Sequence, residues 1–265
     1  MLEKCDMLYI EGYAGISGDM TVGALLSLGA SADRLKAVLD SLKLGDELSY
    51  VISEKSSYGI AGTDFDVILP HDRQHDHGHS HHHGHEHPHG RHHEHRNLAD
   101  VEAIIDRGEM SDRARALAKK AFRFVAYAEA KAHGRPVEEV HFHEVGAIDS
   151  IADIVSAAVL FDDLGETECV VTGLSEGTGT VMCAHGELPV PVPAVLNIAE
   201  ATGIPLRPSG TVGECVTPTG IALAAAFRTR DTLPPAYKVT GIGTGLGKRD
   251  YGRPAILRIM RIEAV

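Results

Sequence analysis

Between His71 and His95 the chain reads HDRQHDHGHSHHHGHEHPHGRHHEH, which holds thirteen of its seventeen histidines and no hydrophobic residue. A segment without apolar side chains cannot contribute to a core, so whatever folds must fold on either side of it, and the tract itself is expected to be disordered without metal. It therefore divides the chain into an N-terminal α/β lobe over 1–70, a His-rich loop over 71–96 and a second α/β lobe over 97–265. Imidazole is a good borderline metal ligand and is largely neutral near pH 7, so many copies on a loose segment make a transition-metal trap. The candidate ligands are His75, His77, His79, His81, His82, His83, His85, His87, His89, His92, His93 and His95. A purification tag would sit at a terminus, whereas this tract is internal and interrupted by Gly, Asp and Glu. Histidine is also a poor choice for a mere spacer. Raw affinity would favour copper, then nickel and zinc, so the tract does not state its metal.

The rest of the chain excludes several classes. Its 265 residues are 43% hydrophobic and 23% charged, a globular composition. A net charge of -12, with Lys and Arg scattered, gives nucleic-acid binding no electrostatic support. No apolar run approaches the ~20 residues of a membrane span, so no membrane partner is expected. The start, MLEKCDMLYIEGYAG, lacks the basic end and apolar core of a signal peptide. Cys5, Cys169, Cys183 and Cys215 form no CxxC, so disulfides are not expected and the cytoplasm is the expected compartment. A homo-oligomer is left open.

Apolar spacing and caps predict a mixed order of elements. Leu8–Ile10 reads as a strand, followed by GYAGISGDM and a helix from about Asp19 to Leu28 with Ser17 as N-cap. Ser31 caps a second helix, and 48–53 and 63–69 form a hairpin about Tyr58–Ile60. After the tract come helices over 98–106, from Ser111 to about His133, and from about Ala147 to Leu164. Strands over 169–172 and 178–183, a helix over 194–202, a short strand between Pro205 and Pro208, a helix begun by Thr217 and Pro218, and two closing strands complete the chain. The fold class is α/β or α+β, a mixed sheet with helices, in two lobes split by the tract.

The densest chemical cluster is HFHEVGAIDSIADI. His141, His143 and Glu144 offer two imidazoles and a carboxylate within reach of one ion or substrate, and are the candidate catalytic residues. It is not the HExxH zinc motif. Asp149 and Asp153 fall on the helix face opposite Ile151, Ile154 and Val155, where a solvated face and a functional cleft are equally good readings. GISGDM, with Ser17 and Asp19, and VTPTG, with Thr217 and Thr219, open helices whose backbone N–H groups can hold a phosphate or carboxylate, although plain capping explains most of both. GIGTGLGKRD fails both GxGxxG and Walker A, so its glycines suit a twisted strand end or turn. Lys248 and Arg249 remain phosphate contacts. Cys183 and His185, at alternate positions of an extended segment, can share a soft metal, although a lone buried Cys is the commoner meaning.

Taken in order, GISGDM, the internal His tract, VEEVHFHEVGAIDSIADI, CAHGELPVPVPA, VTPTG and GTGLGKRDYGRPAILR resemble the nickel-insertion protein family of nickel-pincer cofactor biosynthesis, from about Leu8 to Arg261. Glu11 and Ala14 depart from the Asp and Ser expected there. The resemblance implies a nickel chelatase, of lyase class, acting on a pyridinium-3,5-bisthiocarboxylic acid mononucleotide. Nickel(II) is inserted to form Ni–S and Ni–C bonds, with CTP hydrolysed and Mn or Mg assisting. It further implies a C-terminal nucleotide-binding domain, absent from this sequence and expected to be either cut away from it or supplied as a partner polypeptide. His141, His143 or Glu144 would then take the ring proton, and Ser17 or Thr217 would receive the substrate's phosphate. The rival reading is a non-catalytic nickel or zinc storage and delivery protein, which the tract alone would serve.

Overall fold

Met7, Leu8, Tyr9 and Ile10 are consecutive and all buried, which is how a strand covered on both faces reads. These residues belong to β1 (Asp6–Glu11) of a computed structural model that describes residues 6–68, 96–140, 148–183 and 185–265. The strand pairs antiparallel with β10 (Ile256–Ala264) on one side and parallel with β4 (Glu168–Val170) on the other. Beyond β10 lies β9 (Tyr237–Leu246), and beyond that the hairpin of β2 (Ser49–Ser57) and β3 (Ile60–Ile68). Among the described residues the main sheet thus runs β2-β3-β9-β10-β1-β4, with parallel and antiparallel pairs mixed. The mixed α/β class expected from the sequence is what the structure has. The parts before and after the tract both contribute strands to this sheet.

Helix α1 (Gly18–Ser27) lies directly on the sheet because glycines let it. A β-carbon at Gly245 would sit 1.9 Å from the Met20 carbonyl oxygen, and one at Gly243 would sit 2.0 Å from that of Ala24. Gly243 and Gly245 therefore serve close helix–strand approach inside β9, while Gly247 lies just past the strand's end, where a glycine was expected. Helix α2 (Ala32–Ser41) packs on α5 (Ile148–Leu164), and α3 (Leu98–Arg107) on α4 (Asp112–His133). Helix α7 (Pro218–Phe227) is buried from Thr219 onward, held among α4, α5 and α6 (Pro193–Thr202). There the Phe161 and Phe227 rings stack at 4.1 Å. One apolar core runs from Leu8 and Ile10 through Phe65, Phe122 and Phe227 to Ile259.

Two small ribbons complete the described chain. They pair β5 (Leu174–Thr178) with β8 (Leu206–Val212), and β6 (Thr180–Cys183) with β7 (Gly186–Pro189). The β5 strand escapes the sequence pattern, and β8 contains Pro208 instead of stopping at it, which a two-stranded ribbon tolerates. The caps expected at Ser31, Ser111 and Thr217 form, each side chain accepting the backbone N–H three residues on. Ser17 differs. It occupies the N-cap position of α1, but its hydroxyl donates to the Asp19 carboxylate instead of capping. The tract histidines His75 to His95, and His141, His143 and Glu144, lie outside the described residues.

Candidate functional site

Two helix starts meet edge to edge. Ile16 and Val216 form a parallel bridge, with Ile16 N–H donating to the Cys215 carbonyl at 2.9 Å and Thr217 N–H to the Ile16 carbonyl at 3.0 Å. Gly220 permits the contact, since a β-carbon there would lie 2.3 Å from the Ile16 oxygen. The N-termini of α1 and α7, far apart in sequence, therefore open onto one cavity of about 430 Å³. Its lining includes Ser17, Asp19, Thr217, Thr219, Lys248 and the pair Asp149 and Asp153, together with Asp66 and Ser150.

Five of the six residues expected to bind phosphate are thus brought together. Thr217 spends its side-chain oxygen on the Gly220 N–H, at 3.1 Å, so its acceptor role is structural. Arg249 is the exception. It faces Glu214, with Nη1 at 3.0 Å from Oε2 and donating to the Glu214 carbonyl at 3.2 Å. Glu11, a point of departure from the family pattern, is held at 2.7 Å by Arg258 Nη2, which donates to its Oε1.

The cavity is acidic. Asp19 accepts the Met20 N–H at 2.8 Å as well as the Ser17 hydroxyl. Asp153 accepts the backbone N–H of Asp19. Burial raises the Asp19 carboxyl, which Ser17 and Lys248 only partly offset. Burial also drives Asp153 well above the usual carboxylate range, and the charges of Asp19 and Asp149 push it further. The Lys248 ammonium is the counter-charge, donating to Asp66 and standing 3.9 Å from Asp19 Oδ2. Burial alone would lower Lys248, but Asp66, Asp19 and Asp153 outweigh it and leave it raised. Asp149 and Asp153 line a cleft and not an open helix face, because the face opposite their helix's apolar side meets the start of α1.

Glu176 was not legible from the sequence. It is 2% exposed, and its Oε1 accepts three backbone N–H groups: Gly177 at 2.7 Å, Cys215 at 2.8 Å and Val216 at 3.0 Å. It fixes the loop that carries Thr217 into the cavity. The one sequence signal was an acid inside an otherwise apolar and glycine stretch, LSEGT. Cys183 and His185 are not among the cavity's lining residues. The Cys183 thiol donates to the Gly186 carbonyl at 3.4 Å. His185 sits in the turn between β6 and β7, not on an extended segment, with its ring centroid 5.0 Å from that of His133.

A family model described as nickel insertion protein matches residues 8–264. A pyridinium-3,5-bisthiocarboxylic acid mononucleotide nickel insertion protein of Alkaliphilus metalliredigens is 52% identical over 97% of this chain and 61% of its own length. Proteins of the same name from Lactiplantibacillus plantarum and Acetivibrio thermocellus are 42% and 41% identical, over 97% and 95% of this chain and 61% and 59% of their own lengths. The chain thus spans about three-fifths of the length of these curated relatives. No solved structure gives a significant match. With nearly its whole length matched by the family model, the chain belongs to the nickel insertion protein family.

Proposed function

We propose that this chain is the nickel-handling and substrate-positioning part of an enzyme that inserts nickel(II) into pyridinium-3,5-bisthiocarboxylic acid mononucleotide, giving the nickel-pincer cofactor. The supporting observation is the convergence of two helix starts, Lys248 and the Asp149 and Asp153 pair on one cavity. A mononucleotide brings a phosphate, which suits helix N-termini, the Thr219 hydroxyl and the Lys248 ammonium. The reaction also brings a dication to a ring carbon, and Asp19, Asp149 and Asp153 favour its approach. As the Ni–C bond forms, the ring C–H bond breaks and its proton passes to a base, while both thiocarboxylate sulfurs become ligands. His141, His143 or Glu144 takes that proton in this reading. They stand shortly before α5 in the sequence, and the first turn of α5 carries Asp149 to the cavity. Arg249 acts through Glu214 to hold the loop. The tract concentrates nickel, and Cys183 and His185 take part in handing it on. CTP, with Mn or Mg, is held by the family's C-terminal nucleotide-binding domain, and the setting is the cytoplasm.

The test is insertion by the purified chain, given nickel, the mononucleotide, CTP and Mn, with and without the C-terminal domain of a relative, followed by product mass. Product only with that domain supports the reading. Product from this chain alone moves the nucleotide site into residues 1–265. With the domain present, His143→Ala is expected to abolish product while total nickel binding stays almost intact. If His143→Ala is silent and tract substitution removes all function, the chain is a storage and delivery protein instead.

A further inference from the structure

Only four histidines stand outside the tract: His133, His141, His143 and His185. The fold brings two of them together from different elements. His133 is in the last turn of α4, and His185 is in the turn between β6 and β7. Their ring centroids are 5.0 Å apart, with the planes inclined at 47°. A metal bound about 2.1 Å from a ring nitrogen lies about 3.2 Å from the ring centre, so two imidazoles on one ion have centres about 4.5 Å apart at a right angle and about 5.2 Å at a tetrahedral one. The observed spacing falls between these values.

Three further features favour a cation here. His133 ends a helix of 22 residues, where the peptide dipoles present their negative pole. Glu129 Oε2 lies 3.5 Å from His133 Nε2, and a carboxylate on one ring nitrogen commonly orients a ligating imidazole. Lys131, the nearby cation of the same helix turn, is neutralised by Glu200.

We infer that His133 and His185 form a two-imidazole site for a borderline divalent metal ion, nickel(II) in the proposed reaction. Among the described residues no group of three or more His, Cys, Asp or Glu is arranged to hold a metal. Two imidazoles are what these described residues offer the ion. Such a site binds weakly and exchanges quickly, as a transfer point between a metal-rich tract and a sulfur-bearing substrate must. The nickel identity rests on the proposed function; the two-histidine geometry does not.

The test uses the full chain with the thirteen tract histidines, His141 and His143 replaced by asparagine, so that His133 and His185 are the only histidines left. Nickel chloride titrated calorimetrically into this protein is expected to show one ion per chain. His133→Ala and His185→Ala, both at exposed positions, should each weaken binding at least tenfold. The double variant should be no weaker than either single one, because losing one ligand already dismantles a shared site. No binding by the two-histidine chain, or binding indifferent to either substitution, overturns the inference. Because the readout needs no insertion, an unsubstituted chain that makes no product even with the C-terminal domain, while the two-histidine chain still binds nickel this way, would sink the proposed function and leave the site standing.

Discussion

The Asp153 carboxylate lies against the α-carbon of Gly18, so closely that a β-carbon there would sit 2.3 Å from Oδ2 and 2.7 Å from the Asp153 β-carbon. The start of α1 and the side of α5 are thus in direct contact, and the cavity depends on a residue with no side chain.

Gly18→Ala is expected to destabilise the chain by about 1–3 kcal/mol through overpacking and to cut nickel insertion. Adding Asp153→Ala should return part of that stability, because the clash loses its partner. Urea unfolding of both single variants and the double measures the coupling. Simple additivity would show that the contact does not carry the effect.

Asp153 makes stability depend on pH in a definite direction. Burial first, then the charges of Asp19 and Asp149, hold its carboxyl well above the ordinary value. An acid raised in the folded state binds more protons folded than unfolded, so it costs stability as pH climbs from the unfolded value toward the folded one. Asp153→Asn should therefore be more stable than the parent at neutral pH, with the difference fading in acid below about pH 4. Unfolding curves at several pH values test this. A parent that gains on the variant as pH rises would refute it.

In the proposed function Lys248 is the cation that meets the substrate's phosphate. Lys248→Ala should raise KM about 10-fold to about 100-fold, the scale of one charge-assisted contact. The same substitution should matter far less for the dephosphorylated nucleoside form of the substrate. Equal effects on both forms would place the lysine's role with its acidic neighbours.

Glu176→Ala strips three buried N–H groups of their acceptor and should cost about 3 kcal/mol or more. Glu176→Gln keeps an acceptor oxygen and should retain most of that stability, since burial already raises the Glu176 carboxyl. If the two variants are equally unstable in urea, the triple acceptance is not what holds the loop.

Local rules made part of this site readable. Helix starts obey short-range chemistry, so Ser17, Asp19, Thr217 and Thr219 stand out in the sequence, and Lys248 follows a glycine-rich strand. Asp149 and Asp153 share a helix face by spacing alone, but spacing cannot say what packs against that face. Asp66 looks like any outward residue of a hairpin strand until Lys248 is seen reaching it. Glu176 acts on residues some forty positions away, beyond any local pattern. The mixed order of strands and helices announced a mixed fold, but the position of β1 between β10 and β4 rests on long-range pairing.

That position of β1 sets an order of events on the ribosome. Strand β1 waits for a strand made far later, since Tyr9 pairs with Met260 and Ile10 with Ile259. Ile16 likewise waits for Val216, and until then the two helix starts cannot meet. The tract leaves the exit tunnel long before either partner. The imidazoles of the tract are therefore synthesised before the cleft exists, so under the proposed function loading can precede the place of use.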